Sequence, residues 1–548
     1  MRKLSLPLTM IFVLCLGPGA FAQQTHGPAG KAGPQLSGFF DFSSFPADFP
    51  SGVGTIQRIT CTVGSSAQPA IYSGNMLLDC DAETPRNETT IAVDPNDRNH
   101  AIGGYHSYQL NFNGSTLVER IVAAASVTFD GGQNWREIIP NVTPYQFNGD
   151  PGLAFDANSR IYYTTLADHE GPGGSFTGPS IVVTHSDDGG LTWSRLVTIA
   201  SGHTAITPKQ KGFGPNLFND KPFLGVDTFP ASPFKNRVYV TWTPFSQFFS
   251  PTAASLHFPI AVSFSDDGAN WSAPKTISGF SPACSAALFG LPNECDLDQD
   301  SYPAVAPTGR VYVSFENFNT PAENQALIVS STDGGQTWSN PVKVATLFDI
   351  NYPVNSDGRS TLTGCSFRYG VKANTAADPS DPTGRMVYVV WADNRNGTVK
   401  ATNTDVFLGK STDGGATWTT IPVDTSANDQ FYPWVAVALD GTVQVGYMDR
   451  AYSSGQNVCE YGFSVTTLDT TGTVVKKQRV DSALSDPGHS RWFSNSTNPQ
   501  SLFLGDYNGL AIGSDDSIWS LWTDSRNVVA NPPSPLRNHS QHAVASKN

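Results

Sequence analysis

Three things are scarce in this sequence, and each scarcity removes a class of function. Positive charge is scarce: 33 Lys and Arg stand against 47 Asp and Glu, a formal net charge of −14. A surface of that sign repels nucleic acid and anionic membranes, so neither is expected as a partner. A small anionic substrate is still allowed, because local arginines override net charge. Long apolar runs are scarce: beyond the N-terminal segment no stretch is long enough to span a bilayer. Clustered cysteine is missing: there is no C-x-x-C and no Cys/His group of the kind that holds zinc.

What the chain has in quantity is turn residues, 50 Gly and 39 Pro in 548 residues that are 39% hydrophobic. That composition marks a large, turn-rich globular protein. The N-terminus has the pattern of a signal peptide. Arg2 and Lys3 are its basic region, Leu8 to Leu16 its apolar region, and Ala20-Phe21-Ala22 an A-x-A cleavage site. Residues 1–22 are therefore expected to be removed, and the mature chain to be secreted, periplasmic or extracellular. Cys15 follows Leu14, too bulky for a lipoprotein signal. The six later cysteines suit disulfides in an exported chain. Cys61–Cys80 and Cys284–Cys295 are near neighbours, which would leave Cys365–Cys459; a set of buried thiols is the alternative.

One short pattern recurs. Ser331 to Trp338 (STDGGQTW) returns as Ser411 to Trp418 (STDGGATW), Ser186 to Trp193 (SDDGGLTW) and Thr128 to Trp135 (TFDGGQNW). A fifth copy, around Asp266, Gly268 and Trp271, is looser, with Phe264 where the others have Ser or Thr. Each follows a short apolar run. The physical content is a hairpin turn. Asp folds its carboxylate onto the turn's N–H groups, the glycines take positive φ, and Trp opens the next strand and covers the turn. Repeats of this kind set the architecture.

The pattern resembles the Asp-box of the sialidase-like (BNR-repeat) superfamily of β-propellers, over about residues 87 to 530. The resemblance implies an all-β ring of blades, each running strand, strand, strand, Asp-box, strand. Counting units from Thr89 to Ala545 gives seven blades, with six blades and an irregular end as the alternative. In blade six the turn Leu468-Asp469-Thr470 is a decayed box, and the last blade shows only three strands. An open edge invites aggregation, so residues 53 to 63 are expected to supply its outer strand. The domain plan is then 1–22 signal peptide, 23–86 strap and closing strand, and 87–548 propeller.

Blade geometry sorts the loops. Asp-boxes join strands three and four, on one face. Loops entering strand one and leaving strand two lie on the other, at the mouth of the central channel. These loops hold carboxylates, tyrosines and arginines: Gly149-Asp150-Pro151, Asn219-Asp220-Lys221, Gln299-Asp300-Ser301-Tyr302, Asp429-Gln430-Phe431-Tyr432, Gly505-Asp506-Tyr507, Glu316, Asp393-Asn394-Arg395, Asp449-Arg450 and Asp524-Ser525-Arg526. Paired carboxylates can divide general acid from base or nucleophile. Arginines can fork onto a sugar carboxylate or sulfate. Any single recurrent Asp is read as an architectural ion-pair partner before a catalytic group, so residues that break the repeat carry more weight: Lys221, Glu316 and the pair His169-Glu170. His106 and His169 lack neighbouring ligands in sequence and are read as rim hydrogen-bonders.

The sialidase resemblance further implies three carboxylate-binding arginines, a Tyr nucleophile assisted by Glu, and an Asp acid/base. Arg86 stands where the first arginine would be, and Tyr432 enters blade six, where the Tyr is expected. The other arginines should enter blades four and five, where Asp300 to Tyr302 and Asn351-Tyr352 stand; the expected Asp after strand two of blade one is replaced by His106-Ser107. The catalytic set is thus assigned to Glu316, Asp150 and Tyr432, and substrate binding to Arg395, Arg450, Arg526, Lys221 and Arg86. The expected activity is glycoside hydrolysis of an anionic or complex glycan. A glycan- or protein-binding propeller without chemistry and a polysaccharide lyase are the alternatives. No cofactor is required, though the carboxylate-rich rim admits a structural calcium.

Overall fold

In the computed structural model the described residues run from Cys61 to Asn548, apart from residues 65–67, 69, 81–84, 114–115, 170–177, 205–213, 250–253, 285–290, 319–323, 356–358, 399, 490–502 and 529–539. The signal peptide and the strap up to residue 60 lie outside the described residues, as does Glu170.

Seven antiparallel sheets follow one another along the chain. The first strands of blades one to six are Arg86–Asp94, Phe147–Phe155, Gly214–Val226, Asp298–Val305, Asn374–Ala377 and Gln430–Val437, and that of blade seven is Gly509–Ile512. Blade five thus starts later than Gly370 to Lys372, where the sequence pattern put it, and Lys372 lies in the loop before it. Second strands are covered by neighbouring blades on both faces, so both alternating sets of side chains must be buried. Val311–Asn317, Val387–Asp393 and Val443–Asp449 are buried at every position. Outer strands lose that cover, and Val474–Arg479 of blade six is almost wholly exposed. Among the described residues no helix is long and apolar enough to cross a membrane.

The ring is closed from the N-terminal side, by a different segment from the one expected. Met76–Leu77 pairs with His542–Lys547 and completes the seventh blade. The described part of the 53–63 segment, from Cys61, pairs instead with Asn134–Ile138 as a fifth strand of blade one. The Cys61–Cys80 disulfide and Asp79 lock this arrangement. Asp79 accepts from the Ala543 N–H at 2.9 Å and meets His542 Nδ1 at 2.8 Å. Cys284–Cys295 and Cys365–Cys459 are the other two bridges, and the last ties the insertion of blade five to blade six. Three disulfides fit an oxidising, extracellular setting.

The Asp-boxes do what their composition requires. Asp333 accepts from the Thr337 N–H at 2.9 Å, Ser331 Oγ takes the Gly335 N–H, and the Trp338 indole donates to the Gly335 carbonyl at 3.0 Å. Gly334 and Gly335 have φ of 72° and 89°, where a Cβ is strained. Desolvation pushes the Asp333 carboxyl up, but the hydrogen bonds from Thr337, Ser331 and Gln336 together outweigh it and hold the group down at about 2. The decayed box keeps the device: Asp469 accepts from the Thr471 and Thr473 N–H groups. The fifth copy corrects the alignment. Asp267, not Asp266, accepts from Ala269 and Asn270, so this turn is one residue shorter; Asp266 pairs with Arg237.

The contrast is measurable. Asp267→Ala removes several charge-assisted bonds at an exposed turn and should lower stability by about 1 kcal/mol. Asp266→Ala removes only a surface ion pair and should cost about 0.5 kcal/mol or less. Chemical denaturation of the two variants checks the order; equal losses would restore the original alignment.

Candidate functional site

The register fixes the two faces of each blade. In blade two, Phe155 pairs with Ile161 and Ile161 with Ser186, beside the Asp-box; Gly149 pairs with Leu166 and Leu166 with Ile181, at the far end. The loops entering strand one therefore lie away from the boxes. A hollow does exist on the box face, lined by Asp156, Arg160, Asp187 and Asp266 among others. Its charges are already paired, Arg160 with Asp187 and Arg237 with Asp266, and no convergent chemistry sits there.

At the other end, strand one breaks register in five blades: between Asn87 and Thr90, Gly149 and Gly152, Asp220 and Phe223, Gln299 and Tyr302, and Phe431 and Trp434. Each break holds one non-glycine residue in the left-handed region: Glu88, Asp150, Lys221, Asp300 and Tyr432, with φ of 48° to 56°. That conformation is rare for residues with a Cβ, and such strain clusters at functional sites. Here it brings these side chains together. Lys221 of blade three touches carboxylates from three other blades: Glu88 at 2.8 Å, Asp506 at 2.9 Å and Asp150 at 3.7 Å. One residue beyond the break, Phe223, Tyr302 and Trp434 join Tyr507 with ring centroids 5.0–5.9 Å apart. Blades three, four, six and seven meet only at the axis, so these rings plug the channel next to the charged layer.

The charged layer has two groups. The first holds Glu88, His106, Asp150 and Lys221. His106 Nε2 lies 3.2 Å from Glu88 and 3.1 Å from Asp150. Burial pushes the Glu88 carboxyl well up, against the pull of Lys221, and pushes the His106 imidazole down. Asp150 is held well below the usual carboxylate range: burial opposes this, but Lys221 and His106 prevail. The second group holds Asp300, Glu316 and Lys372, with an ion pair between Lys372 and Asp300. Burial pushes Glu316 well up despite Lys372, and nearby Asp300 adds to the shift. One oxygen of Asp300 and one of Glu316 are buried with no hydrogen-bond partner. Asp506 links the groups; it binds Lys221 and, at 2.7 Å, Arg368. Arg368 and Lys372 precede blade five and were not singled out from sequence. Their only sequence signal is a basic residue on either side of Tyr369 and Val371, just ahead of a strand.

Of the sequence-assigned residues, Glu316, Asp150, Lys221 and Tyr432 are brought to the axis. The Tyr432 hydroxyl donates to the Arg368 carbonyl at 2.8 Å, and burial, reinforced by Asp506, raises its pKa well above the tyrosine norm. The four arginines are placed elsewhere. Arg86 is buried against Glu137 at 3.1 Å. Arg395 forks onto Asp393 and lies 4.0 Å over the Phe407 ring. Arg450 binds Asp429 and the Gln456 and Val458 carbonyls. Arg526 forks onto Asp524 and reaches Ser482 and Asn75, tying blade seven to the N-terminal segment. His169 stacks on Tyr145, ring centroids 4.5 Å apart.

No family model matches this sequence, and no curated protein matches it. Solved structures do share its outline. A protein of unknown function from Dyadobacter fermentans is 14% identical over 68% of this chain and 93% of its own, with a TM-score of 0.40. The NanB sialidase of Streptococcus pneumoniae is 10% identical over 84% and 93%, TM-score 0.40. The α-L-arabinanase of Penicillium chrysogenum is 13% identical over 73% and 98%, TM-score 0.42.

Lys221 is the test of this layer. Lys221→Met would leave Glu88, Asp150 and Asp506 crowded without their shared ammonium. A loss of about 3–5 kcal/mol is expected, as for breaking a buried ion pair from one side. A urea midpoint unchanged from the parent would show that the carboxylates do not depend on it. Strand composition, Asp-box turns and ring closure together make this chain a seven-bladed β-propeller built on Asp-box hairpins.

Proposed function

We propose that this propeller hydrolyses a glycosidic bond at the mouth of its channel, with Glu316 as the proton donor and Asp300 as its partner carboxylate. One observation carries the proposal. Asp300 and Glu316, on adjacent strands of blade four, each keep an oxygen buried and without a hydrogen-bond partner. Buried carboxyl oxygens serving architecture alone are normally satisfied within the fold, and unsatisfied ones call for a functional account. The two groups also differ in state. Glu316 is pushed toward its neutral form by burial, while Asp300 is ion-paired to Lys372. Paired carboxyls held in different states are the arrangement glycoside hydrolysis uses.

In this scheme Glu316 gives its proton to the leaving glycosidic oxygen as the C–O bond breaks. The Asp300 carboxylate stabilises or captures the sugar cation, and water completes the hydrolysis. The proposed substrate is a glycan whose scissile bond reaches the axis. Because Arg86, Arg395, Arg450 and Arg526 are engaged with carboxylates of the protein, the scheme does not require a sugar carboxylate.

A binding propeller without chemistry is the second reading. It is favoured by the mutual neutralisation of Lys221, Asp506 and Arg368, and by Tyr432 being held far from phenolate. A panel of aryl glycosides and of neutral and acidic polysaccharides, followed by release of reducing ends, separates the two. Glu316→Gln should lower kcat by about 100-fold or more with little change in KM. Asp300→Asn should do likewise. Activity should hold through neutral pH and fall on the alkaline side, since a raised carboxyl stays protonated to higher pH and then loses the proton that the reaction needs. Binding without turnover, or full activity in both variants, would replace this proposal with the second reading.

A further inference from the structure

The first charged group has a geometry that the hydrolytic scheme does not use. We propose that Glu88, His106 and Asp150 form a binding site for one divalent transition-metal ion of the zinc or manganese kind. One ligand atom from each lies within 4.8 Å of the others, and all three residues are buried. His106 Nε2 stands 3.2 Å from Glu88 Oε2 and 3.1 Å from Asp150 Oδ1. Metal bonds of about 2.0–2.1 Å place neighbouring ligand atoms roughly 3.0–3.4 Å apart, which these separations match. Calcium, with bonds of about 2.3–2.6 Å and a preference for six or more oxygens, fits the set less well.

Three further observations point the same way. Glu88 Oε2 is buried and without a hydrogen-bond partner, although Glu88 itself is only 1% exposed, and it faces the imidazole. The other oxygens of the pair are turned to Lys221, Glu88 Oε1 at 2.8 Å and Asp150 Oδ2 at 3.7 Å, so the oxygens facing His106 are not taken by the ammonium. The imidazole is oriented for ligation. Tyr108 donates its hydroxyl hydrogen to Asn87 Oδ1 at 3.1 Å, so at 3.0 Å its oxygen accepts from His106 Nδ1. That leaves the lone pair on Nε2, on the side of the Asp150 N–H and the two carboxylates. A histidine ligand whose second nitrogen donates to an oriented neighbour is the usual supporting arrangement of a metal site.

Local sequence makes room for this. Gly149 lets the ring in, since a Cβ there would lie 2.8 Å from Nε2. The left-handed turns at Glu88 and Asp150 aim both carboxylates at it. The competitor is the Asp150 N–H, 2.5 Å from the same Nε2, which an ion has to displace.

The site can be read without turnover, so its fate is independent of the hydrolytic proposal. The full mature chain is stripped with chelator, dialysed, and titrated with Zn²⁺ or Mn²⁺ alone by calorimetry, with thermal melts alongside. One equivalent is expected, with a higher Tm that chelator reverses. His106→Gln should abolish it. Tyr108→Phe, which keeps the ring and the fold, should weaken binding by about 10-fold or more. No stoichiometric uptake, one equivalent that survives His106→Gln, or unchanged affinity in Tyr108→Phe each overturns the assignment.

Discussion

An ionised side chain placed on the axis of a closed ring has nowhere to go. Seven first strands converge there, aromatic rings fill the adjacent level, and water cannot solvate the charge as it does at a surface. Each inward-turned group must be answered by one from another blade. Lys221 is the clearest instance, a single ammonium shared by Glu88, Asp506 and Asp150 from three other blades. This condition governs the site. It sets which carboxyls ionise, how far each is held from its ordinary state, and which oxygens remain for a ligand.

The same condition links fold to chemistry through the backbone. Bulges re-aim side chains. Here a bulge in each of five first strands, with its residue at positive φ, turns Glu88, Asp150, Lys221, Asp300 and Tyr432 out of the blade surface and into the channel. Such residues are costly, roughly 1–3 kcal/mol each, and persist because the surrounding structure holds them. Ring closure supplies part of that hold. Met76–Leu77 completes the seventh sheet, and Arg526 and Asp79 tie the N-terminal segment to it, so the last blade cannot drift from the axis.

Much of the fold is legible in the residues. Asp333 and Asp413 with their glycines and tryptophans form turns whose bonds are all local, and a copy with altered spacing still forms one using Asp267. The disulfide framework follows the near-neighbour pairing suggested by spacing. The candidate site is only half legible. Glu316, Asp150, Lys221 and Tyr432 stand out as residues at the mouth loops, and they do reach the axis. Arg395, Arg450 and Arg526 occupy the same loops but follow an aspartate within the loop or face one from the next turn, so they close on protein carboxylates. His106 reads as an isolated rim residue because its partners, Glu88 and Asp150, lie on other strands.

The sequence by itself determined the blades: strand runs, hairpin turns, their number, and the face on which each loop falls. The turns depend on contacts within the hairpin itself, and each blade on strands that follow one another in the chain, so composition and spacing suffice. Only the tertiary structure decided which loop residues meet. Lys221 and Asp506, from blades three and seven, are far apart along the chain and are joined by ring closure and by a left-handed bulge that no spacing announces. Charge pairing across an axis is a property of the assembled ring, and it appears only when the last blade is in place.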